Sequence, residues 1–180
     1  MSETTTEEIV HRYEPNGKTS FVMVIAKEGV PTVDGREFSA GALTWREPPF
    51  PLMMIRENDP TGRGGHKASS AVAAITEVWR EDDADGFGTI YGRGFFADDE
   101  LGRSAHDLIA QGVISGVSAD VGGATFEELE ATEDGEISRR IKSGTIVAVT
   151  ALPIPAFDDT KVSVTDVTAA AGPPDWTPPT

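Results

Sequence analysis

The chain has 180 residues, a length that suits one domain with a real hydrophobic core. It has no cysteine and only three scattered histidines, which excludes disulfides and thiolate catalysis and argues against a zinc site. Its formal net charge of −15 disfavours direct binding to nucleic acid, because phosphate backbones would be repelled. We therefore expect oxygen-based chemistry, with no metal and no cofactor.

The two ends of the chain differ in composition from its middle. Residues 1–17 lack apolar periodicity and predict a disordered acidic arm, unlike a secretory signal. Residues 18–167 form the predicted folded domain, and the Ala/Pro-rich residues 168–180 predict a disordered tail or the start of a linker. No apolar run approaches the roughly 18 to 20 residues that cross a bilayer. We therefore expect a soluble, cytoplasmic protein without a membrane partner.

Strand patterns dominate the first half of the domain. TSFVMVIA, residues 19–26, is rich in β-branched and apolar residues and predicts a buried strand, followed by a tight turn at Asp34-Gly35. PPFPLMMI, residues 48–55, predicts a short strand whose prolines indicate a sheet edge or the entry to the strand. SSAVAAITEVWRE and GTIYGRGFFAD, residues 69–81 and 88–98, predict the two strands of a hairpin.

One segment changes to helical periodicity. In DDELGRSAHDLIAQG, residues 98–112, the apolar residues at helical spacing are Leu101, Ala105, Leu108 and Ile109. Asp98 or Asp99 can cap the start of this helix, and Gly112 can end it.

The second half returns to strand patterns. VISGVSADVGGATFEEL, GEISRRIKSG and TIVAVTALPI predict three strands, with a turn at Glu133-Asp134-Gly135 between the first two. Pro153 and Pro155 are expected to end the last strand. Six or more strands with one substantial helix predict a mostly β, α+β domain: a small antiparallel β-barrel or sheet with one main helix packed on it.

Ser118 is the candidate nucleophile, because a strand after the helix would hold it rigidly between glycines. A serine hydroxyl needs a base, most often histidine. His11 lies in the arm, and His106 lies on the helix, where we expect a structural role. His66 lies in a loop between strands, where functional side chains are common, although a solvated loop histidine is the simpler interpretation. G-x-S-x-D is a weak motif, and it is not a nucleophile elbow, because the helix precedes the strand.

Five stretches occur in an informative order across about residues 30 to 160. They are DGREFSAGAL, PLMMIREND with a later GH, AITEVWRE, YGRGFFADDELGRSAHDLIAQGVISGVSAD and IVAVTALPIPAF. In this order they resemble the prohead proteases of tailed bacteriophages, also called capsid maturation proteases. The resemblance implies a histidine after an apolar strand, a serine nucleophile on a strand after a helix, and a fold similar to that of herpesvirus assemblins.

By position, the resemblance implies Ser118 as nucleophile and His66 as general base of a serine endopeptidase. Such an enzyme processes capsid or scaffold protein, and itself, inside the assembling prohead in the host cytoplasm; a homodimer is left open. The chain departs from the pattern at Asn58, where many relatives have the histidine, and at Ala148, where many have an acid. Asp120, on the same strand face as Ser118, is the candidate third member, although a solvent-facing acid is the simpler interpretation.

The residues leave several questions open. An oxyanion would need backbone N–H donors, and the neighbourhood that includes Gly122 and Gly123 permits a close approach. A catalytically degenerate protease domain that acts in capsid assembly or scaffolding is the first alternative. A small β-barrel binding module is the second, and it predicts an apolar groove without a Ser–His pair. An end at Thr180 fits either an engineered truncation or a self-processed form.

Overall fold

The computed structural model describes residues 19–32, 35–55, 69–129, 139–152 and 162–165. Within these ranges the chain forms nine strands and one helix. The elements are β1 (Ser20–Lys27), β2 (Arg36–Phe38), β3 (Leu43–Trp45), β4 (Phe50–Ile55), β5 (Ser69–Asp82), β6 (Gly88–Phe96), α1 (Glu100–Ala110), β7 (Gly116–Glu128), β8 (Arg139–Leu152) and β9 (Val162–Thr165). The described part of the chain contains no helix that is both long and apolar enough to span a membrane.

All the strands join one curled, half-barrel sheet. The 14-residue strand β8 has partners on both edges: β7 pairs antiparallel with it along one edge, and β2, β3 and β4 pair parallel with it in succession along the other. The sheet continues from β4 through β5, β6 and β1 to β9. The predicted mostly β, α+β class with one helix is confirmed. Most of the strand pairings are antiparallel, as predicted, and the three pairings of β2, β3 and β4 with β8 are parallel.

The concave face of the sheet and α1 share one hydrophobic core. Alternate residues of the strands point into it, as the period of a β-strand requires. The fully buried side chains of this core include Phe21, Met23, Ile25, Leu52, Met54, Ile75, Ile90, Ile146 and Val149. The helix contributes Ala105 and Ile109, which lie one turn apart on one face.

Two strands differ from the sequence-based prediction. GEISRRIKSG and TIVAVTALPI were expected as separate strands, but β8 runs through both without interruption from Arg139 to Leu152. β4 is an interior strand between β8 and β5, not an edge. Its Pro51 lies opposite Ala74 of β5, while pairing with β8 begins at Leu52. The proline therefore stands at the entry to the doubly paired part of the strand, the second of the two positions that the sequence predicted.

Helix α1 begins at the cap that the sequence allowed. The Asp99 carboxylate Oδ1 accepts a hydrogen bond from the Gly102 N–H at 2.7 Å, whereas Asp98 makes a 3.4 Å surface ion pair with Arg103. Gly112 follows the helix with φ +72°, a left-handed conformation that glycine adopts without strain. Asp99, and not Asp98, is therefore the N-cap of α1.

We expect Asp99→Ala to lower the free energy of unfolding by about 1 kcal/mol, because an N–H of the first turn loses its acceptor. Asp98→Ala is the matched control and should change it by less than about 0.5 kcal/mol, since an exposed ion pair contributes little. Urea denaturation of both variants measures the difference. Equal losses at the two positions would contradict the cap assignment.

Strands β5 and β6 approach each other closely at Gly94. A Cβ atom added there would overlap the backbone carbonyl oxygen of Ala74, which cannot move without displacing β5. We expect Gly94→Ala to lower the free energy of unfolding by about 2 kcal/mol or more. Gly122→Ala is the control, because its Cβ would meet the exposed Val147 side chain at 3.2 Å and the Thr145 carbonyl oxygen only at an ordinary 3.9 Å. Thermal denaturation should separate the two variants by several degrees.

A buried ion pair ties the end of β1 to three other elements. The Glu28 side chain is 0% exposed, and its carboxylate accepts hydrogen bonds from both terminal nitrogens of Arg80, at 3.0 and 2.8 Å. It also accepts N–H bonds from Gly41, Leu43 and Gly88, at 2.8, 2.9 and 3.1 Å. Burial alone would raise the pKa of Glu28, but Arg80 and the three N–H donors outweigh it, so this pKa lies below its ordinary value of 4.5.

Candidate active site

Ser118 lies in the interior of a strand near the start of β7, not in a turn. Its neighbours Val117 and Ala119 belong to or pack against the core, as does Val121. Because strand side chains alternate, Ser118 and Asp120 share the opposite, convex face of the sheet, where both are half-buried. The common face that the sequence predicted for these two residues agrees with this geometry.

Strand β8 provides the residues that face this pair. Thr150 lies directly opposite Ser118, and Ala148 lies directly opposite Asp120. Residues that face each other in antiparallel strands have Cβ atoms roughly 4.5 to 5.5 Å apart. Asp120 therefore lies directly across from Ala148 on the neighbouring strand. Ala148 is the position at which the pattern that the chain resembles has an acid. The chain has a carboxylate beside that position, on the neighbouring strand.

β4 pairs with the other edge of β8 and leads into the segment that contains His66. Met53 of β4 pairs with Thr150, so Ser118, Thr150 and Met53 form a row across three adjacent strands. Ile55, the last residue of β4, pairs with Ser69, the first residue of β5. Residues 56–68 therefore leave and rejoin the sheet at the end where β7 begins. His66 and Asn58 lie in this segment, outside the described residues, so the predicted Ser118–His66 pair remains a prediction.

His106 has the structural contacts that its sequence position predicted. Its Nδ1 lies 2.9 Å from the Asp107 carboxylate, and its ring packs edge-on against the core residue Phe96 with centroids 5.6 Å apart. His11 lies outside the described residues. Among the side chains that the structure describes, no three His, Asp or Glu residues are grouped so that they could hold a metal ion.

The glycines proposed to permit an oxyanion site are too distant. Gly122 and Gly123 lie four and five residues beyond Ser118 on the same strand, which places them roughly 13 Å or more along it. Gly123 has φ +63° and lies where the ladder between β7 and β8 is irregular. These two glycines therefore shape the later part of β7 and cannot donate to a carbonyl that Ser118 attacks.

A comparison with known protein families shows the family of this chain. Residues 65–172 match the family described as caudovirus prohead serine protease, which is more than half of the sequence. The chain belongs to the caudovirus prohead serine protease family. The segment that matches this prohead protease family contains His66, Ser118 and Asp120. No curated protein and no solved structure matches the chain.

Membership confirms the resemblance drawn from the ordered motifs and supports a protease role in capsid maturation. The relationship to herpesvirus assemblins remains an expectation. Sequence reasoning placed Ser118 and Asp120 on one strand of this prohead protease domain but did not single out Thr150. Thr150 is a polar residue in a mostly apolar stretch of β8, and this was the local signal for it. That Thr150 faces Ser118 is known only from the register between β7 and β8.

Proposed function

We propose that the chain is an active serine endopeptidase that processes capsid or scaffold protein, and itself, during prohead maturation. The observation that carries the proposal is the placement of Ser118. It lies within the segment that matches the prohead serine protease family, on a rigid strand, with its side chain on the face turned away from the core. A nucleophile needs this combination of fixed backbone and partly accessible side chain.

In the proposed reaction, the imidazole of His66 accepts the Ser118 hydroxyl proton as the serine oxygen attacks a peptide carbonyl carbon. The resulting tetrahedral intermediate collapses when the imidazolium donates that proton to the leaving amine nitrogen, which leaves an acyl-enzyme. Water, deprotonated by the same imidazole, then attacks the ester carbonyl and releases the new carboxyl terminus and Ser118.

The ends of the segment that contains His66 support its role as the base. β5 lies three strand spacings from β7, which is about 14 Å. His66 precedes Ser69 by three residues, which in extended form span up to roughly 10 Å. The remaining distance is within the length of a histidine side chain. These lengths support a contact between His66 and Ser118 in the proposed mechanism.

We assign the third position to Asp120. It shares the convex face with Ser118 two residues away, and it lies opposite Ala148, where the acid of many relatives was expected. A carboxylate there would orient the His66 ring and stabilise the imidazolium that forms during attack. Ala148 is also the observation behind the alternative proposal, in which the domain has lost catalysis and serves capsid assembly or scaffolding.

Co-expression with the cognate capsid protein tests these roles, with cleavage mapped by mass spectrometry. We expect His66→Ala to abolish cleavage, whereas the matched histidine control His106→Ala should cleave as wild type does. Asp120→Asn should slow cleavage at least tenfold, and up to roughly 10⁴-fold if it acts as the aspartate of a triad does. Asp107→Asn is its control, because that carboxylate is exposed and contacts His106.

The outcomes separate the two proposals. Cleavage by wild type and both controls, but not by His66→Ala, supports the protease and identifies its target sequence. An uncut capsid protein in every sample, including wild type, favours the assembly or scaffolding role. Full activity of Asp120→Asn alongside inactive His66→Ala would reduce the site to a Ser118–His66 dyad.

A further inference from the structure

Strand β8 contains a β-bulge near the proposed nucleophile. Asp120 of β7 pairs with Ala148, but the next residue of β7 pairs with Ile146. Val147 is therefore one extra residue in β8. In a regular strand Val147 and Ala148 would point to opposite faces of the sheet. Here neither is buried, although the core residues Ile146 and Val149 on either side of them are 0% exposed, so the bulge turns both toward the convex face.

The Val147 side chain leans from β8 toward β7. Its two methyl carbons lie 3.2 and 3.8 Å from the point that a Cβ atom of Gly122 would occupy. Gly122 follows Asp120 by two residues and so belongs to the same convex face, but it has no side chain to fill the space beside the valine. Val147 therefore forms an apolar wall beside a glycine floor, on the face that also carries Ser118 and Asp120.

The bulge is what distinguishes Val147 from an ordinary surface valine. Single exposed valines are common on proteins and need no explanation. Bulges, in contrast, occur preferentially beside active sites, where they re-aim a side chain. A regular strand would place one residue between two core residues, whereas β8 places two there and presents an exposed valine close to the proposed nucleophile.

The distance of Val147 from Ser118 fits contact with a bound polypeptide. Val147 faces the step between the two residues of β7 that lie two and three positions beyond Ser118. Strand residues rise about 3.3 Å each, so Val147 lies roughly 7 to 10 Å along β7 from Ser118. An extended substrate chain advances at nearly the same rate. A substrate that runs along β7 on the convex face therefore brings the second or third residue from its scissile bond against Val147.

We propose that Val147 determines specificity, as the wall of a subsite for an aliphatic side chain two or three residues from the scissile bond of the polypeptide substrate. The inference rests on the proposed protease function and names the class of sequence that it cleaves. An aliphatic side chain in this subsite removes apolar surface from water, whereas a glycine at the same substrate position gains nothing. This contact is equal in the bound substrate and the transition state, so its loss raises KM and leaves kcat unchanged.

Two variants separate apolar contact from side-chain shape. Val147→Ala removes the wall, whereas Val147→Thr keeps the branched shape and replaces one methyl group by a hydroxyl. Val30→Ala is the matched control, because Val30 is 36% exposed, against 39% for Val147, but lies in the turn that follows β1. If Val147→Ala unfolds at the assay temperature, Val147→Thr supplies the same comparison with wild type.

The assay uses full-length protein and peptides that span the mapped cleavage site. Each peptide carries leucine or glycine at the second or third position on either side of the scissile bond, and kcat and KM are measured beside the melting temperature. We expect wild type to prefer leucine by roughly tenfold or more at one of these four positions. Both Val147 variants should reduce that preference roughly three- to tenfold through KM and cleave the glycine peptide as wild type does. Val30→Ala should retain the full preference.

Three results would overturn the inference. The first is a wild-type enzyme that cleaves leucine and glycine peptides equally well at all four positions, and the second is a leucine preference that both Val147 variants retain. The third is an equal loss on leucine and glycine peptides, which would show that Val147 only supports the sheet. A wild type that cleaves no peptide and no capsid protein refutes the proposed function and the inference together, whereas an active wild type with any of the three results refutes the inference alone.

Discussion

Ser118→Ala is expected to abolish peptide-bond cleavage, with a loss of roughly 10³- to 10⁶-fold in rate and no loss of fold. Without the serine oxygen no acyl-enzyme forms, and only the binding and electrostatic contributions of the site remain. Alanine fits the half-buried strand position, because it adds no atoms and removes a single hydroxyl. Cleavage of the co-expressed capsid protein and thermal denaturation by circular dichroism measure the two parts of this expectation.

Ser104 provides the matched control for this experiment. It is also half-buried, but it lies on α1, a helix that packs against the core from the concave side. Ser104→Ala should cleave the capsid protein at the wild-type rate. Undiminished cleavage by a folded Ser118→Ala protein would mean that another residue is the nucleophile, and the assignment of the site to β7 would then be wrong.

Glu28→Gln is expected to cause the largest loss of stability among the described polar residues, about 3 kcal/mol or more. The substitution keeps the size of the side chain but leaves the Arg80 guanidinium without its buried counter-charge. It also turns an amide NH₂ toward N–H donors that now bond to a carboxylate oxygen. Asp82→Asn removes the other carboxylate that contacts Arg80, and it should cost less than about 1 kcal/mol because Asp82 is 55% exposed.

The contribution of Glu28 should depend on pH in one direction. Its folded pKa lies below the ordinary value of 4.5, so the charged form is the one that the fold stabilises. The difference in free energy of unfolding between wild type and Glu28→Gln should therefore be constant above pH 4.5. It should shrink as pH falls from 4.5 through the lowered folded pKa. Urea denaturation across this range measures it, and a difference that grows with acidity would contradict the assignment.

Short sequence patterns predict the elements whose formation depends on residues close together in the chain. β1, the β5–β6 hairpin, α1 with its aspartate cap, and β7 all follow from periodicity and turn residues within short windows. The shared face of Ser118 and Asp120 also follows from the two-residue period of a strand. The chemistry of the site could thus be proposed before the sheet was known, because the candidate acid and nucleophile are neighbours in sequence.

The remaining features depend on pairing between distant parts of the chain. β2 and β3 have three residues each and form only against β8, where Leu43 pairs with Gly144 about a hundred positions later. β9, four residues long, forms against β1. No local periodicity marks strands this short. For the same reason the interior position of β4 and the pairing of Thr150 with Ser118 could not be predicted.

The double pairing of β8 affects when the molecule can become active. The β7–β8 pair is local, but the other edge of β8 requires strands from the first third of the chain, including β4, which leads into the segment with His66. Contacts of such long sequence separation form slowly during folding. In the proposed mechanism, nucleophile and base therefore meet only after β4 and β5 have joined β8 and β7. If that mechanism holds, a nascent or partly folded chain lacks the assembled site, and the topology places a delay between synthesis and proteolysis.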